Sequence, residues 1–272
     1  VRLLFVGDVV GKPGRQILTQ VLRGLRIREN LDLVVVNAEN AAGGSGITPN
    51  IYRELIATGV DCITLGDHAF RRREIFSIIN GEARIVRPAN YPEESPGRPY
   101  TIITARNNVP VAICCLLGRV FMPPVDCPFH AIDNILKKLP DNVVSIVVDF
   151  HAEATSDMQA MARHLDGRVT AVLGTHTHVP TADETILPGG TAFQCDVGMT
   201  GPHLSILGRK IERVLETTRT FRPTNFDVAT EDNRLNGTIV EFNQETGLAA
   251  KIRRICIDSA EAKELELIGK GK

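Results

Sequence analysis

Val169–Leu173 is a short apolar run that ends on Gly174 and is followed by Thr175-His176-Thr177-His178. If the run is a strand, residues two apart point to one side, so both imidazoles can face a single point in space. Histidine is the commonest neutral nitrogen ligand of first-row metals, and a strand end holds such a pair on rigid scaffold. Other strand-like runs end in the same manner. Leu3–Val6 leads to Gly7-Asp8, Leu33–Val36 to Asn37-Ala38-Glu39-Asn40, Cys62–Leu65 to Gly66-Asp67-His68, and Val143–Val148 to Asp149-Phe150-His151. A single polar residue at a strand end means little, because such residues also cap helices and satisfy loop backbones. A succession drawn from Asp, Glu, Asn and His supplies ligands for two metals sharing a bridging carboxylate, whereas a mononuclear zinc site would use only three of them. Two cations so held can activate a bound water.

The elements that must position these residues alternate between buried strands and amphipathic helices. Pro13 can open a helix with Ile17, Val21, Leu22 and Leu25 on one face, and Thr48-Pro49 caps another with Ile51, Leu55 and Ile56 inward. A further helix is predicted through Glu74-Ile75-Phe76. The glycines Gly7, Gly11 and Gly14 lack the dinucleotide-binding spacing, and the Asp8 carboxylate beside them would repel a pyrophosphate. Arg87–Pro99 is rich in turn formers and reads as an irregular surface segment. Tyr100–Ala105 with Val109–Leu117, the residues around Pro188-Gly189-Gly190, and Gly237–Phe242 with Leu248–Ile255 read as hairpins. The pattern predicts an α/β chain of one domain over residues 1–272, with 255–272 a peripheral C-terminal tail whose charged part from Asp258 is a helix or frayed.

Composition narrows the partners. With 272 residues and a formal net charge of −1, the chain has ample material for a core and no basic surface to attract long polyanions or membranes. The six cysteines contain no CxxC pair and mostly sit in apolar runs, which suits reduced thiols in the cytoplasm. No stretch approaches the length of a membrane span. A homo-oligomer is left open.

Taken together, Gly7-Asp8-Val9-Val10-Gly11, Asn37-Ala38-Glu39-Asn40-Ala41-Ala42, Arg87-Pro88-Ala89-Asn90-Tyr91-Pro92, Asp149-Phe150-His151-Ala152-Glu153 and Gly174-Thr175-His176-Thr177-His178 resemble the calcineurin-like metallophosphoesterases, and within them the YmdB-like bacterial branch. The resemblance runs from the first strand to about Gly208. It implies a four-layer αββα sandwich, two transition metals (iron or manganese, with zinc as a further candidate) and phosphodiesterase activity on cyclic nucleotides or other small phosphodiesters. Carried onto this chain, one metal takes Asp8, Glu39, Asn40 and His178, and the other takes Glu39, Asp67, His151 and His176. Glu39 bridges them, and a hydroxide between the metals attacks phosphorus in line. His68 is the implied general acid. Glu153 and Asp149 are candidates for orienting the imidazoles, while Arg87 and Arg119 are weak candidates for phosphate contact. His130, His164 and His203 read as surface residues. Two departures stand out: Val10 replaces the histidine of the general Asp-x-His motif, and Asp67 replaces the branch's usual Asn. The added carboxylate would lower Lewis acidity, so the alternative is a metal-binding regulatory protein with weak or absent catalysis.

Overall fold

Side chains within single strands alternate between two cores, and that alternation dictates the layers. A computed structural model describes residues 1–271. In β1 (Arg2–Val6), Leu4 and Val6 face helices, whereas Leu3 and Phe5 face a second sheet. The first part of the chain continues through β2 (Asp8–Val9), α1 (Gly11–Glu29), β3 (Leu33–Asn37), α2 (Pro49–Thr58), β4 (Cys62–Thr64) and β5 (Ile85–Val86). The second comprises β6 (Tyr100–Thr104), β7 (Pro110–Leu117), α3 (Pro128–Leu136), β8 (Ser145–His151), α4 (Thr155–Leu165), β9 (Ala171–Thr175), β10 (Thr185–Ile186) and β11 (Ala192–Gln194). The chain then returns to the first sheet with β12 (Met199–Pro202), α5 (Ile211–Thr220), β13 (Asn233–Phe242), β14 (Ala249–Ile257) and α6 (Ser259–Gly269).

The first sheet has the order β2-β12-β13-β1-β3-β4-β5, with β14 also paired to β13. Its β1, β3, β4 and β5 are parallel, and β13 runs antiparallel to β1. The second has the order β10-β11-β9-β8-β7-β6, parallel from β11 to β7 and antiparallel at both ends. Leu3, Phe5, Leu33 and Val35 meet Val111, Ile113, Val147 and Leu173 between the sheets. Ile17, Val21, Leu22 and Leu25 of α1 cover the outer face of the first sheet, and Ile132, Met158 and Met161 of α3 and α4 cover that of the second. This is the four-layer αββα sandwich expected, because strands buried on both faces need helices on one side and another sheet on the other.

Several local expectations shift. The predicted helix through Glu74 is a short 3-10 helix, Arg73–Ser77. The segment after β5 is irregular but not superficial: Arg87 and Asn90 are buried, and the Asn90 amide accepts from Leu117 N at 2.8 Å and donates to Leu117 O at 2.9 Å, strapping it to β7. Of the tail expected to be peripheral over 255–272, Lys272 lies outside the described residues; the rest completes β14 and then forms α6, whose Leu265 is fully buried and packs in the core that α1 lines. Asp258 caps that helix by accepting from Ala260 N at 2.8 Å and Glu261 N at 3.0 Å. Among the described residues no helix is long and apolar enough to cross a membrane.

Candidate metal centre

The strand ends converge at the seam between the sheets. Asp8, Glu39, Asn40, Asp67 and His68 come from the first sheet and the turns that leave it, and His151, His176 and His178 from the second. The donor atoms of Glu39, Asp67, His151 and His176 lie within 4.8 Å of one another. His151 Nε2 is 3.2 Å from Asp67 Oδ1, 3.4 Å from Glu39 Oε1 and 3.0 Å from His176 Nδ1. A second group adjoins it: Asn40 Nδ2 lies 3.0 Å from Glu39 Oε1, 3.5 Å from Asp8 Oδ1 and 3.3 Å from His178 Nε2. Glu39 touches both groups. Gly66 makes the approach possible, since a Cβ there would lie 2.4 Å from both Glu39 Oε2 and His151 Nε2.

Each of the three imidazoles is anchored from behind. His151 Nδ1 is 2.8 Å from Thr175 Oγ1, whose own proton goes to Asp149 Oδ1 at 2.6 Å, so the threonine accepts from Nδ1–H and Nε2 faces the cluster. His176 places Nε2 3.2 Å from Glu153 Oε2 and turns Nδ1 inward. His178 donates Nδ1–H to Leu207 O at 3.1 Å and turns Nε2 inward. An outer nitrogen held from behind with the inner nitrogen turned to the cluster is how a protein orients imidazoles for a cation.

His176 and His178 do not lie on the strand. β9 ends at Thr175, and both histidines sit in a turn at φ 109° and 66°, a region that costs an ordinary residue about 1–3 kcal/mol. Asp196 holds the turn by accepting from Thr177 N and Thr177 Oγ1, both at 2.8 Å, and Asp8 Oδ2 accepts from His176 N at 3.1 Å. The two rings therefore serve adjacent groups on either side of Glu39 rather than one point.

The charges fit a cation. Asp8 and Glu39 are buried, and among the described residues the ion-pair partners of Asp8, Glu39 and Asp67 are all histidines. Burial pushes the Asp8 carboxyl up to about 7. Burial is the largest influence on Glu39 and Asp67 too and opposes their ionisation, but the histidines beside them, His151 foremost, together lower both. His151 is correspondingly raised well above the usual imidazole range: burial works against its charge, and Glu39 and Asp67 override it. Burial lowers His178 to about 4 and, with His151 adding to it, also lowers His176. Buried carboxylates and inward-facing imidazole nitrogens without Lys or Arg make a donor set for a positively charged metal, not a self-sufficient ion-pair network.

His68 lies at the rim. Its Nδ1 is 2.7 Å from Asn40 Oδ1, its backbone N–H donates to Glu39 Oε2 at 2.8 Å, and Nε2 stands 3.7 Å from Asp67 Oδ2. Arg87 is not part of the centre: it donates to Pro88 O at 2.7 Å. Arg119 is exposed, with its backbone N–H on Asp157. His203 is tied to Gly201 O and Asn236, and His164 to Asp133. Sequence reasoning missed Thr175, Asp196 and the Leu207 carbonyl. It also missed Asn37 and Thr64, which donate to Asp149 Oδ2 at 3.0 and 2.5 Å and so keep that buried carboxylate an acceptor for Thr175.

A two-sheet αββα sandwich with a carboxylate and imidazole cluster across its strand ends is the architecture of a metallophosphoesterase. The sequence profile of the YmdB-like protein family matches residues 4–255, and the chain belongs to that family. It is 44% identical over 257 residues to the 2′,3′-cyclic-nucleotide 2′-phosphodiesterase of Bacillus subtilis (strain 168), covering 94% of this chain and 97% of that protein. A Thermus thermophilus protein of known crystal structure superposes with a TM-score of 0.89 at 41% identity, covering 95% of this chain and 99% of the other. A crystal structure of a Mycoplasma pneumoniae protein described as a novel phosphatase superposes with a TM-score of 0.88 at 34% identity, covering 95% and 93%.

Proposed function

We propose that the protein is a metal-dependent phosphodiesterase that opens small cyclic phosphodiesters, with 2′,3′-cyclic nucleotides as its substrate class. The observation that carries this is the anchoring of His151, His176 and His178 through their outer nitrogens, which turns His151 and His176 toward Glu39 and Asp67 and turns His178 toward the adjoining Asp8 and Asn40. The name and 44% identity of the Bacillus subtilis relative support the reaction class. Asp8, Asn40 and His178 would hold one metal and Asp67, His151 and His176 the other, with Glu39 shared; the mixed nitrogen and oxygen donors suit iron or manganese and admit zinc. Bound there, the cations would supply Lewis acidity toward the phosphoryl oxygens and lower the pKa of the attacking water. The chain's own residues do the rest. Thr175, Glu153 and Leu207 O fix the rings, and His68, partly exposed at the rim, would protonate the departing ribose oxygen. A cytoplasmic setting suits the free thiols.

The test is metal content together with turnover. Protein purified without chelator is expected to carry two transition metals per chain and to hydrolyse a 2′,3′-cyclic nucleotide, with chelation abolishing activity and Mn²⁺ restoring it. One metal at full occupancy after soaking in excess Mn²⁺ would sink the shared-Glu39 arrangement. Two metals without hydrolysis of any diester would favour a regulatory metal-binding protein, the outcome for which the Asp67 carboxylate supplies a physical reason.

A further inference from the structure

A cleft of about 400 Å³ opens beside Asp67. Phe70, Tyr91 and Pro92 line it from the turn after β4 and the strap after β5, and Pro123, Pro124 and Val125 from the loop between β7 and α3. The aromatic wall is fixed by contacts outside the cleft. Tyr91 Oη donates to Gly66 O at 3.3 Å, the Tyr91 and Phe70 rings are 5.6 Å apart, and Phe70 packs against Phe76 at 5.3 Å. The proline rings bring rigid apolar surface without N–H donors. Polar side chains are few: Asp67 belongs to the metal centre, Arg71 is exposed, and Ser95 is a half-buried hydroxyl.

We infer that this cleft receives the nucleobase of a nucleoside cyclic phosphate whose phosphate lies at the metal centre, an inference that rests on the phosphodiesterase reading above. In such a substrate one ribose ring separates base from phosphate, and here one residue, Asp67, borders both the cluster and the cleft. Aromatic and proline walls bind a base through its faces, which every base has, and offer little to read its edge. The cleft therefore grades substrates by stacked area, purines above pyrimidines, with little discrimination between adenine and guanine.

The experiment compares adenosine 2′,3′-cyclic phosphate with glycerol 1,2-cyclic phosphate, which keeps the five-membered cyclic diester and lacks the base. The metal-loaded parent is expected to prefer the nucleotide. Phe70→Leu removes the aromatic face at nearly constant volume, and Val125→Trp fills the cleft from the opposite wall. Each is expected to contract the nucleotide's advantage in kcat/KM by roughly 5–20-fold, mainly through KM. Each should also weaken calorimetric binding of adenosine 3′-monophosphate relative to inorganic phosphate. An advantage unmoved in both variants, at unchanged metal content, overturns the base site and leaves the phosphodiesterase reading standing. A parent that cleaves neither substrate overturns both.

Discussion

His68 and His151 are both imidazoles beside Glu39, yet their surroundings assign them different work. His151 is fully buried with both nitrogens occupied, whereas His68 keeps a quarter of its side chain exposed and meets the cluster through Asn40 Oδ1. If His68 donates Nδ1–H to that oxygen, a second proton on Nε2 is the one it can give to a leaving alkoxide. His68→Ala is then expected to retain metal and to lose roughly 10²–10⁴-fold in turnover of alkyl diesters. The loss should shrink for nitrophenyl esters, whose leaving group needs no proton. Elemental analysis and a leaving-group series check this; loss of metal, or a penalty independent of leaving group, would remove the acid role.

At the level of elements, the legible part was the rule that buried strands end where chemistry begins. Runs of apolar residues exposed Asp8, Glu39, Asn40, Asp67, His68 and His151 as strand-end residues, because a strand buried on both faces carries mostly apolar side chains until it nears its end. The anchors were not legible. Thr175 reaches Asp149 and His151 through the parallel register of β8 and β9, and Leu207 contributes a carbonyl, which no side-chain pattern reveals. For α6 it was the docking and not the helix that escaped: Ala262 and Leu265, its buried apolar residues, are spread among charges that read as a solvated tail. Its docking is nevertheless close, since a Cβ on Gly24 of α1 would fall 1.9 Å from Leu265 O. Leu265→Ala is expected to cost about 2–5 kcal/mol of stability, measured by denaturant unfolding, while metal stoichiometry stays unchanged. A neutral effect would mean that α6 contributes little to the core.

Across the whole molecule, the two sheets bring different donors to their seam: Asp8, Glu39 and Asp67 with His68 from the first, and His151, His176 and His178 from the second. A proton on His151 can join them, as its raised pKa indicates, and so can a cation. The two compete, because a nitrogen ligand must give up its proton to bind metal. In the metal-free protein, His178, lowered to about 4 by burial, contributes stability that is present above about 6.5 and lost as pH falls toward 4. His151 has the opposite sign: its contribution is present below about 6.5 and lost as pH rises through its elevated value. Loading metal therefore replaces a favourable proton at low pH and supplies a missing positive charge at high pH. The rise in Tm on adding a fixed excess of Mn²⁺ is expected to grow steadily from pH 5.5 to pH 8, with proton release on binding seen as buffer-dependent heats in calorimetry. His178→Gln should flatten the acid limb of the metal-free stability curve between about 6.5 and 4 without removing the slope due to His151. A metal-induced rise in Tm that is constant between pH 5.5 and pH 8, or largest at pH 5.5, would show that His151 carries no proton for the metal to displace.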